Sequence, residues 1–209
     1  KTKWKIEPLE GQKQESIKYT VIIIVVFLLG FVAGYLASSF YNFEPKGNNN
    51  TIKIGNSGSI DDPGIGIYTK SLTDTVVNNG TLEAGSKSLG IYSLGLSVTQ
   101  NGIMKIGNEG TGIYKEQGIL DINNGSQLHI GDNEAVGLYA VNNAAVNIKP
   151  TAVVNIGTGS YGTILESGSS LWNQAVISLT DNSIFTYGNR ASSITNDGQI
   201  NMTGSDNTA

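Results

Sequence analysis

The chain has 209 residues, a formal net charge of −4 and no cysteine. Residues 1–46 hold six lysines and four glutamates, whereas residues 47–209 carry seven basic and thirteen acidic side chains, so the charge divides into about +2 and −6. An acidic body with one arginine lacks the positive surface that nucleic acid binding requires, which excludes nucleic acid as a partner. The lack of cysteine excludes disulfides and thiolate metal sites.

A charged leader, residues 1–18, precedes an apolar segment at residues 19–41 that contains no charged side chain. About 20 apolar residues at 1.5 Å each cover the hydrocarbon core of a bilayer, so this segment predicts a transmembrane or signal helix in contact with the membrane. Five lysines precede it and only Lys46 follows closely. This asymmetry predicts that the leader stays in the cytoplasm and the body is exported.

The length of the apolar segment leaves its processing open. A signal peptide has an apolar region of about 7–15 residues and a cleavage site between small residues. The segment is longer than that, and Ala37-Ser38-Ser39 is only a passable site. A retained anchor and a long cleaved signal are therefore both compatible with it. Residues 42–50 are expected to form a linker to the body.

A three-residue signature recurs four times in the body, at spacings of 24, 22 and 25 residues. Its copies are Gly66-Ile67-Tyr68, Gly90-Ile91-Tyr92, Gly112-Ile113-Tyr114 and Gly137-Leu138-Tyr139, with a degenerate fifth copy at residues 161–164. A short β-like run that ends in glycine precedes each copy, as in Ile103–Gly107. Self-similarity at a fixed period predicts a repeat architecture.

Turn-forming pairs lie ahead of most of these runs. They are Asn79-Gly80, Asn101-Gly102, Asn124-Gly125 and Asp197-Gly198. Each repeat therefore reads as turn, strand, turn, strand, with two or three strands per period. The period is too short for a propeller blade, which needs about 40–45 residues. Glycine and asparagine are also too frequent after residue 46 for helices.

The return of the same strand once per period favours parallel stacking of each strand on its own copy. Antiparallel hairpins, for which Asn-Gly is a strong turn, are the alternative. We therefore predict that residues 51–209 form an all-β domain, a parallel and right-handed β-helix of about seven coils at roughly 4.8 Å each. The last residues resemble the start of a further repeat, so the chain is expected to be part of a longer protein.

Alternation along the strands predicts which side chains stack from coil to coil. In the runs that end in glycine, one set of alternate residues is expected inside, and the residues between them form an outward column: Lys53, Glu83, Lys105, His129, Asn155 and Asn201. In the signature strand, the aliphatic residues are expected inside and the tyrosines outside as a stack, with a buried tyrosine stack as the alternative. The signature glycine predicts a corner with positive φ or a close approach between coils.

The signature, with the turn and strand ahead of it, resembles the passenger repeats of large autotransporter adhesins of Gram-negative bacteria. The best match is Asn79-Gly80-Thr81-Leu82, and the resemblance covers residues 50–165 well and weakens towards residue 209. It implies a passenger that crosses the outer membrane unfolded and folds outside as a β-helical stalk. It further implies an N-terminal fragment and, as partners, host-cell or bacterial surface glycans or proteins. The family is defined by repeats, so no functional residue carries over.

The residue pattern predicts no catalytic, cofactor or metal site. His129 is the only histidine and is expected on the surface, where one histidine makes no transition-metal site. Asp132 and Glu134 form a weak calcium candidate, without the glycine-rich nonapeptide repeat of calcium-binding rolls. The remaining polar candidates, Asp61, Asp62 and Arg190, are expected in turns or loops. No P-loop, nucleophile elbow or zinc-protease motif occurs.

The sequence thus predicts a non-catalytic, exported stalk of a bacterial cell-surface adhesin, with no cofactor. One alternative is a protein anchored in the inner membrane whose periplasmic β-helix acts as a scaffold or wall binder. A second is a carbohydrate-active β-helix enzyme, which would need two or three carboxylates within reach of one another in a groove.

Overall fold

A computed structural model describes residues 51–58 and 63–209 of the chain. The predicted leader (1–18), apolar helix (19–41) and linker (42–50) lie outside the described residues, as do Asp61 and Asp62. The described residues form nineteen β-strands and no helix.

The strands belong to three parallel sheets, which form the three sides of a coil. Sheet A consists of β1 (Thr51–Ile54), β4 (Thr81–Ala84), β7 (Ile103–Ile106), β10 (Gln127–Ile130), β13 (Val153–Ile156), β16 (Val176–Leu179) and β19 (Gln199–Met202). Sheet B consists of β2 (Ile65–Thr69), β5 (Leu89–Ser93), β8 (Thr111–Lys115), β11 (Val136–Ala140), β14 (Tyr161–Leu165) and β17 (Ile184–Gly188). Sheet C consists of β3 (Thr75–Asn78), β6 (Ser97–Gln100), β9 (Ile119–Ile122), β12 (Ala145–Ile148), β15 (Ser170–Asn173) and β18 (Ser193–Asn196).

Each strand pairs in parallel with its own copy one turn earlier and one turn later, as β5 pairs with β2 and β8. The parallel β-solenoid is thereby confirmed, and the antiparallel hairpins are excluded for the described strands. The coil makes about six turns, not about seven. The repeated run ahead of the signature forms the strands of sheet A. Seven strands on this side bound only six turns, so the number of strands in sheet A exceeds the number of turns by one.

Every full turn holds three strands, which lies within the predicted two or three, but the pattern of turn, strand, turn, strand located only two of them. The missing strand is that of sheet C. Its inward positions include polar side chains, which weaken the apolar alternation. In β3 and β6 these are Asn78 and Gln100, which are both buried, and the Nδ2 of Asn78 donates to the Oε1 of Gln100 at 2.8 Å.

The core lies inside the coil, between the three sheets. In sheet A the residues at the second and fourth positions of each strand point inward, as with Leu82 and Ala84 or Met104 and Ile106. Burying a side chain such as Leu82 contributes about 1.5–3 kcal/mol. Because each coil is thin, this apolar stack between neighbouring coils replaces the single compact core of a globular domain.

Sheet B departs from simple alternation because its second and third residues both point inward. In β8 these are Gly112 and Ile113, which are both buried. A Cβ atom on Gly112 would lie 2.5 Å from the carbonyl oxygen of Gly137 and 2.5 Å from the Cδ1 of Ile106. The φ of Gly112 is not positive. Of the two roles predicted for the signature glycine, close approach between coils is therefore the one observed.

Candidate functional site

Four tyrosines, one per turn, stack on the outer face of sheet B. Ring centroids are 4.9 Å apart from Tyr68 to Tyr92, 5.4 Å from Tyr92 to Tyr114 and 5.1 Å from Tyr114 to Tyr139, with interplanar angles of 19°, 3° and 17°. We call these four residues the tyrosine ladder. The aliphatic residue of the signature, such as Ile113, is buried. The expected arrangement, with aliphatic residues inside and tyrosines outside, is confirmed.

Two carboxylates flank the tyrosine ladder. Each follows a strand of sheet B and reaches back to the tyrosine of the preceding turn. The hydroxyl of Tyr92 donates to the Oε1 of Glu116. Burial, together with Glu166 and the hydrogen bond that it makes, raises the pKa of Tyr139 to about 12. Between them, burial and the charges of both glutamates raise the pKa of Tyr114. Tyr114 and Tyr139 are therefore protonated at neutral pH, and both lie near a carboxylate.

The tyrosine ladder ends where the signature degenerates. At the ladder position, β14 carries Ile164, and β17 carries Tyr187, which pairs with Ile164 and is 49% exposed. The glycine position also changes in the last strand of sheet B. Phe185 stands there in β17, with only 2% of its surface exposed, so a large aromatic side chain enters the core where the five preceding strands of sheet B have glycine. The sequence pattern did not reveal this substitution.

Sheet A carries a different outer ladder. Glu83 Oε2 lies 2.9 Å from the Nζ of Lys53, and Glu83 Oε1 lies 3.1 Å from the Nζ of Lys105. Hydrogen bonds from Lys53 and then from Lys105 lower the pKa of Glu83. The register continues through His129 to Asn155, whose Nδ2 lies 3.1 Å from the Nδ1 of His129. We call these five residues the polar ladder; the predicted outward column is confirmed over them.

One lysine is buried in the solenoid. Lys115, the last residue of β8, follows the outward Tyr114 and points inward, with none of its surface exposed. Its Nζ donates to the carbonyl oxygen of Gly95. Burial lowers the pKa of Lys115 to about 8, and only the charge of Glu116 opposes this. Sequence reasoning missed this residue, although alternation places the residue after an outward tyrosine inside the coil.

The predicted turn pairs lie at corners between sheet C and the next strand of sheet A. Three of them form two-residue corners: Asn79-Gly80, Asn101-Gly102 and Asp197-Gly198. The φ angles of these glycines are not positive. The Nδ2 of Asn101 donates to the Oδ1 of Asn79 at 2.7 Å, and a Cβ on Gly102 would lie 2.0 Å from the carbonyl oxygen of Gly80. Close packing between coils, not left-handed backbone, thus requires glycine at Gly102.

The fourth pair lies in a longer corner, between β9 and β10. Gly125 has a φ of 79° there, and both it and Asn124 are exposed. The Oδ1 of Asn124 accepts a hydrogen bond from the backbone N–H of Thr151 at 3.1 Å, one turn further on. This pair acts as a turn in the ordinary sense and also ties two coils together.

The remaining polar candidates lie apart on the surface. The Oδ1 of Asp132 accepts a hydrogen bond from the backbone N–H of Thr158 at 2.8 Å, which ties one coil to the next. Glu134 is exposed, and Arg190 is an exposed residue of the segment after β17 with a φ of 52°. Within residues 51–58 and 63–209, no three histidine, aspartate or glutamate side chains lie close enough to hold a metal ion.

An exposed tryptophan on sheet C forms a smaller polar cluster. Trp172 is 41% exposed, its Nε1 donates to the Oδ2 of Asp197 at 2.7 Å, and the Nζ of Lys149 lies 5.9 Å from its ring centroid. Lys149 also lies 3.7 Å from Asp121. Trp172, Lys149 and Asp121 therefore each contact another side chain of this cluster.

Comparison of the chain with protein-family models, with curated proteins and with solved structures finds no match. In the part of the chain that the structure describes, no helix is both long and apolar enough to cross a membrane.

Proposed function

We propose that this chain is a non-catalytic segment of an exported bacterial surface adhesin, in which a right-handed β-solenoid serves as the stalk, similar in organisation to autotransporter passengers. The observation that supports the proposal is the uninterrupted stack. Every described strand pairs with its own copy one turn away, and the repeated side chains serve that pairing. The proposal explains two features together: the repeats, which form the stalk, and the apolar segment at residues 19–41, which directs export.

The mechanical logic is that of a one-dimensional assembly. Each coil contacts only its neighbours, so length grows with the number of repeats and not with a single core. About six turns at roughly 4.8 Å each extend about 29 Å. A stalk of this kind sets the distance between a surface and whatever lies at its tip, and its side chains are used for stacking.

Deletion of one period tests this role. Removal of residues 103–126 joins the end of one sheet C corner to the start of β10, so all later side chains keep their columns. The shortened chain is expected to fold, to be exported and to lose one turn of length. Removal of residues 103–114, about half a turn, is the matched control and is expected to misfold, because Lys115 and the corner residues that follow it would then occupy the position of a sheet A strand. Equal export and folding of both deletions, or turnover of a polysaccharide by the purified body, would contradict the proposal.

The lysine-flanked apolar segment also favours a second candidate, an anchor in the inner membrane with a periplasmic solenoid. N-terminal sequencing of the mature protein separates the two. Cleavage near Ser39 supports the exported passenger, whereas an intact N-terminus on the mature protein supports the anchor.

A further inference from the structure

The tyrosine ladder is a continuous path of ring contacts along the solenoid axis. Its four rings lie with centroids 4.9 to 5.4 Å apart and with interplanar angles of no more than 19°, so the faces of successive rings are stacked. A phenol is among the side chains that lose a single electron most readily. Because electron transfer slows exponentially with the distance between donor and acceptor, stacking from ring to ring makes the ladder the fastest route for an electron along this face.

Carboxylates stand at alternate turns in the column that follows the strands of sheet B. The backbone of each member of this column is bonded to the strand one turn earlier, and the members are Leu94, Glu116, Val141 and Glu166. The hydroxyl of Tyr92 donates to Glu116, and Tyr139 is hydrogen-bonded in the same way to Glu166. The two apolar members stand at the turns of the other two tyrosines. Two of the four phenols therefore have a base in direct contact.

A base in contact with a phenol makes the loss of an electron easier. A phenol that loses an electron becomes a strong acid, and a base within hydrogen-bond reach accepts its proton. Glu116 serves Tyr92 in this way, and Glu166 serves Tyr139. The charge of Arg190 acts on Tyr139 in the opposite direction to that of Glu166, and more weakly. Tyr92 and Tyr139 are therefore the two rings of the ladder that are easiest to oxidise.

The tyrosine ladder differs in exposure between its ends. Tyr68, at the first turn, is 49% exposed, whereas the other three tyrosines are half-buried. An oxidant in solution therefore reaches Tyr68 most easily. At the other end, Ile164 follows Tyr139 in the register, and an aliphatic side chain is not oxidised by one electron under these conditions. An oxidising equivalent that enters at Tyr68 therefore stops at Tyr139.

We propose that the tyrosine ladder conducts an oxidising equivalent along the solenoid, from Tyr68 to Tyr139. A one-electron oxidant, such as a peroxide-derived radical, takes an electron from Tyr68, and the phenolic proton goes to water. Tyr92 then gives an electron to Tyr68 and its proton to Glu116. Tyr68 regains a proton from water, so the radical now lies on Tyr92.

The second transfer exchanges protons only between the ladder and its two carboxylates. An electron passes from Tyr139 through the ring of Tyr114 to Tyr92. Tyr92 regains its proton from Glu116. Tyr139 gives its proton to Glu166 and holds the neutral radical, so one electron in total has gone to the oxidant and one proton has left a phenol. A stalk that only holds distance needs no such path, so this inference goes beyond the proposed function and stands independently of it.

Oxidation from a fixed position tests the proposal. The 209-residue chain has no cysteine, so Lys70→Cys supplies a single thiol at an exposed position close to Tyr68. A ruthenium(II) polypyridine complex attached there becomes the one-electron oxidant after a flash of light in the presence of an electron acceptor. A nitroso spin trap marks tyrosyl radicals, and peptide mass spectrometry locates the adducts. The adduct at Tyr139 is expected to exceed the adduct at Tyr68.

Substitution by phenylalanine separates the ladder from other routes. The double variant Tyr92→Phe, Tyr114→Phe keeps aromatic rings in the stack but removes the phenols, so the Tyr139 adduct is expected to fall several-fold and the Tyr68 adduct to rise. Tyr187→Phe makes the same change outside the ladder. It is the matched control and is expected to leave both adducts unchanged. Circular dichroism checks that each variant has the fold of the parent.

A change at the carboxylate tests the proton transfer without touching a ring. Glu116→Gln keeps a hydrogen-bond acceptor beside Tyr92 but removes the base. The ratio of the Tyr139 adduct to the Tyr68 adduct is expected to fall by up to about 100-fold, because a positioned base contributes about that much.

Three results would overturn the proposal. The first is a Tyr139 adduct that is undiminished in both the double phenylalanine variant and Glu116→Gln. The second is an equal loss of this adduct in Tyr187→Phe. The third is an equal adduct on an isotope-labelled chain that carries no ruthenium and is present in the same sample, because the oxidation would then pass between molecules and not along the ladder.

Discussion

Sheets A and B are both parallel stacks of strands, yet their outer faces carry different ladders: a polar one on sheet A and an aromatic one on sheet B. The tyrosine ladder repeats one residue at 4.9 to 5.4 Å. The polar ladder changes residue at every turn and places Glu83 between Lys53 and Lys105. In-register stacking brings each side chain next to its own copy, so flat uncharged groups gain from repetition, whereas charged groups must alternate in sign.

The same rule explains which columns are visible in the sequence. Columns of amides can repeat because an amide both donates and accepts. The Nδ2 of Asn101 donates to Asn79, and the Nδ2 of Asn123 donates to Asn101, each at 2.7 Å. A column that must alternate in charge conserves no residue type from turn to turn. Repetition of a residue along a solenoid thus marks positions where like can stack on like.

The largest expected effect comes from separating the strands beneath the tyrosine ladder. Gly112→Ala places a Cβ 2.5 Å from the carbonyl oxygen of Gly137, so the two coils must move apart. We expect a loss of about 2–3 kcal/mol in the free energy of unfolding, measured by urea denaturation. Gly55→Ala is the control, because a Cβ there meets no atom within 4 Å. Similar losses in the two variants would show that close approach is not the constraint.

Removal of one ring from the tyrosine ladder has the next largest effect. Tyr114→Ala removes two stacked contacts at about 0.5–1.5 kcal/mol each, so a loss of about 2 kcal/mol is expected. Tyr187→Ala removes a tyrosine that pairs with Ile164, outside the ladder. The loss for this control is expected to be clearly smaller. If both variants lose the same stability in urea denaturation, the stacking adds nothing beyond the burial of each side chain.

A smaller gain in stability is expected when the one lysine buried inside the coil is replaced. Lys115→Met replaces a fully buried amine, and a gain of about 1 kcal/mol at pH 7 is expected because the buried charge is removed. In the parent chain the pKa of Lys115 is lowered to about 8 from 10.5. The unfolded chain therefore holds more protons between these values, and stability rises with pH across this window.

The tyrosine ladder acts in the opposite direction at higher pH. The pKa of Tyr139 is raised to about 12 from 10.0, so stability falls as pH rises from 10 towards 12. The urea concentration at the midpoint of unfolding should thus rise and then fall between pH 7 and 12 in the parent chain. In Lys115→Met the rise should be absent and the fall should remain. Lys105→Met, which removes an exposed amine, should show both the rise and the fall. If the rise persists in Lys115→Met, it is caused by a group other than Lys115.

These residues also show where sequence reasoning succeeds. Ile113 and Tyr114 were placed correctly because the signature repeats, and repetition at a fixed period requires stacked columns. Lys115 was missed because a lysine follows the signature in only one copy, and a lone charged residue resembles a surface residue. The strands of sheet C were missed because their inward residues include Asn78 and Gln100, which hide the apolar alternation.

The path of sheet B depends on a detail that residue types do not carry. In strands such as β8, two consecutive residues point inward, and the first of them is glycine, which has no side chain to reveal its direction. The tyrosine ladder was therefore predictable from the signature, whereas the departure from simple alternation required the backbone path of sheet B.

The smallest expected effect tests the rule of alternating charge on the polar ladder. Glu83→Lys places three lysines on successive turns, so the midpoint of unfolding should fall, and it should recover in 1 M salt because these charges are exposed and screened. Glu83→Gln, which removes the attraction without adding repulsion, should fall less. In the parent chain the lowered pKa of Glu83 means that its contribution is present above pH 4.5 and is lost as pH falls through the folded-state pKa. If the midpoint of Glu83→Lys does not change with salt, the stacked charges on this face do not interact. Contacts between neighbouring turns would then contribute to stability in the tyrosine ladder but not in the polar ladder.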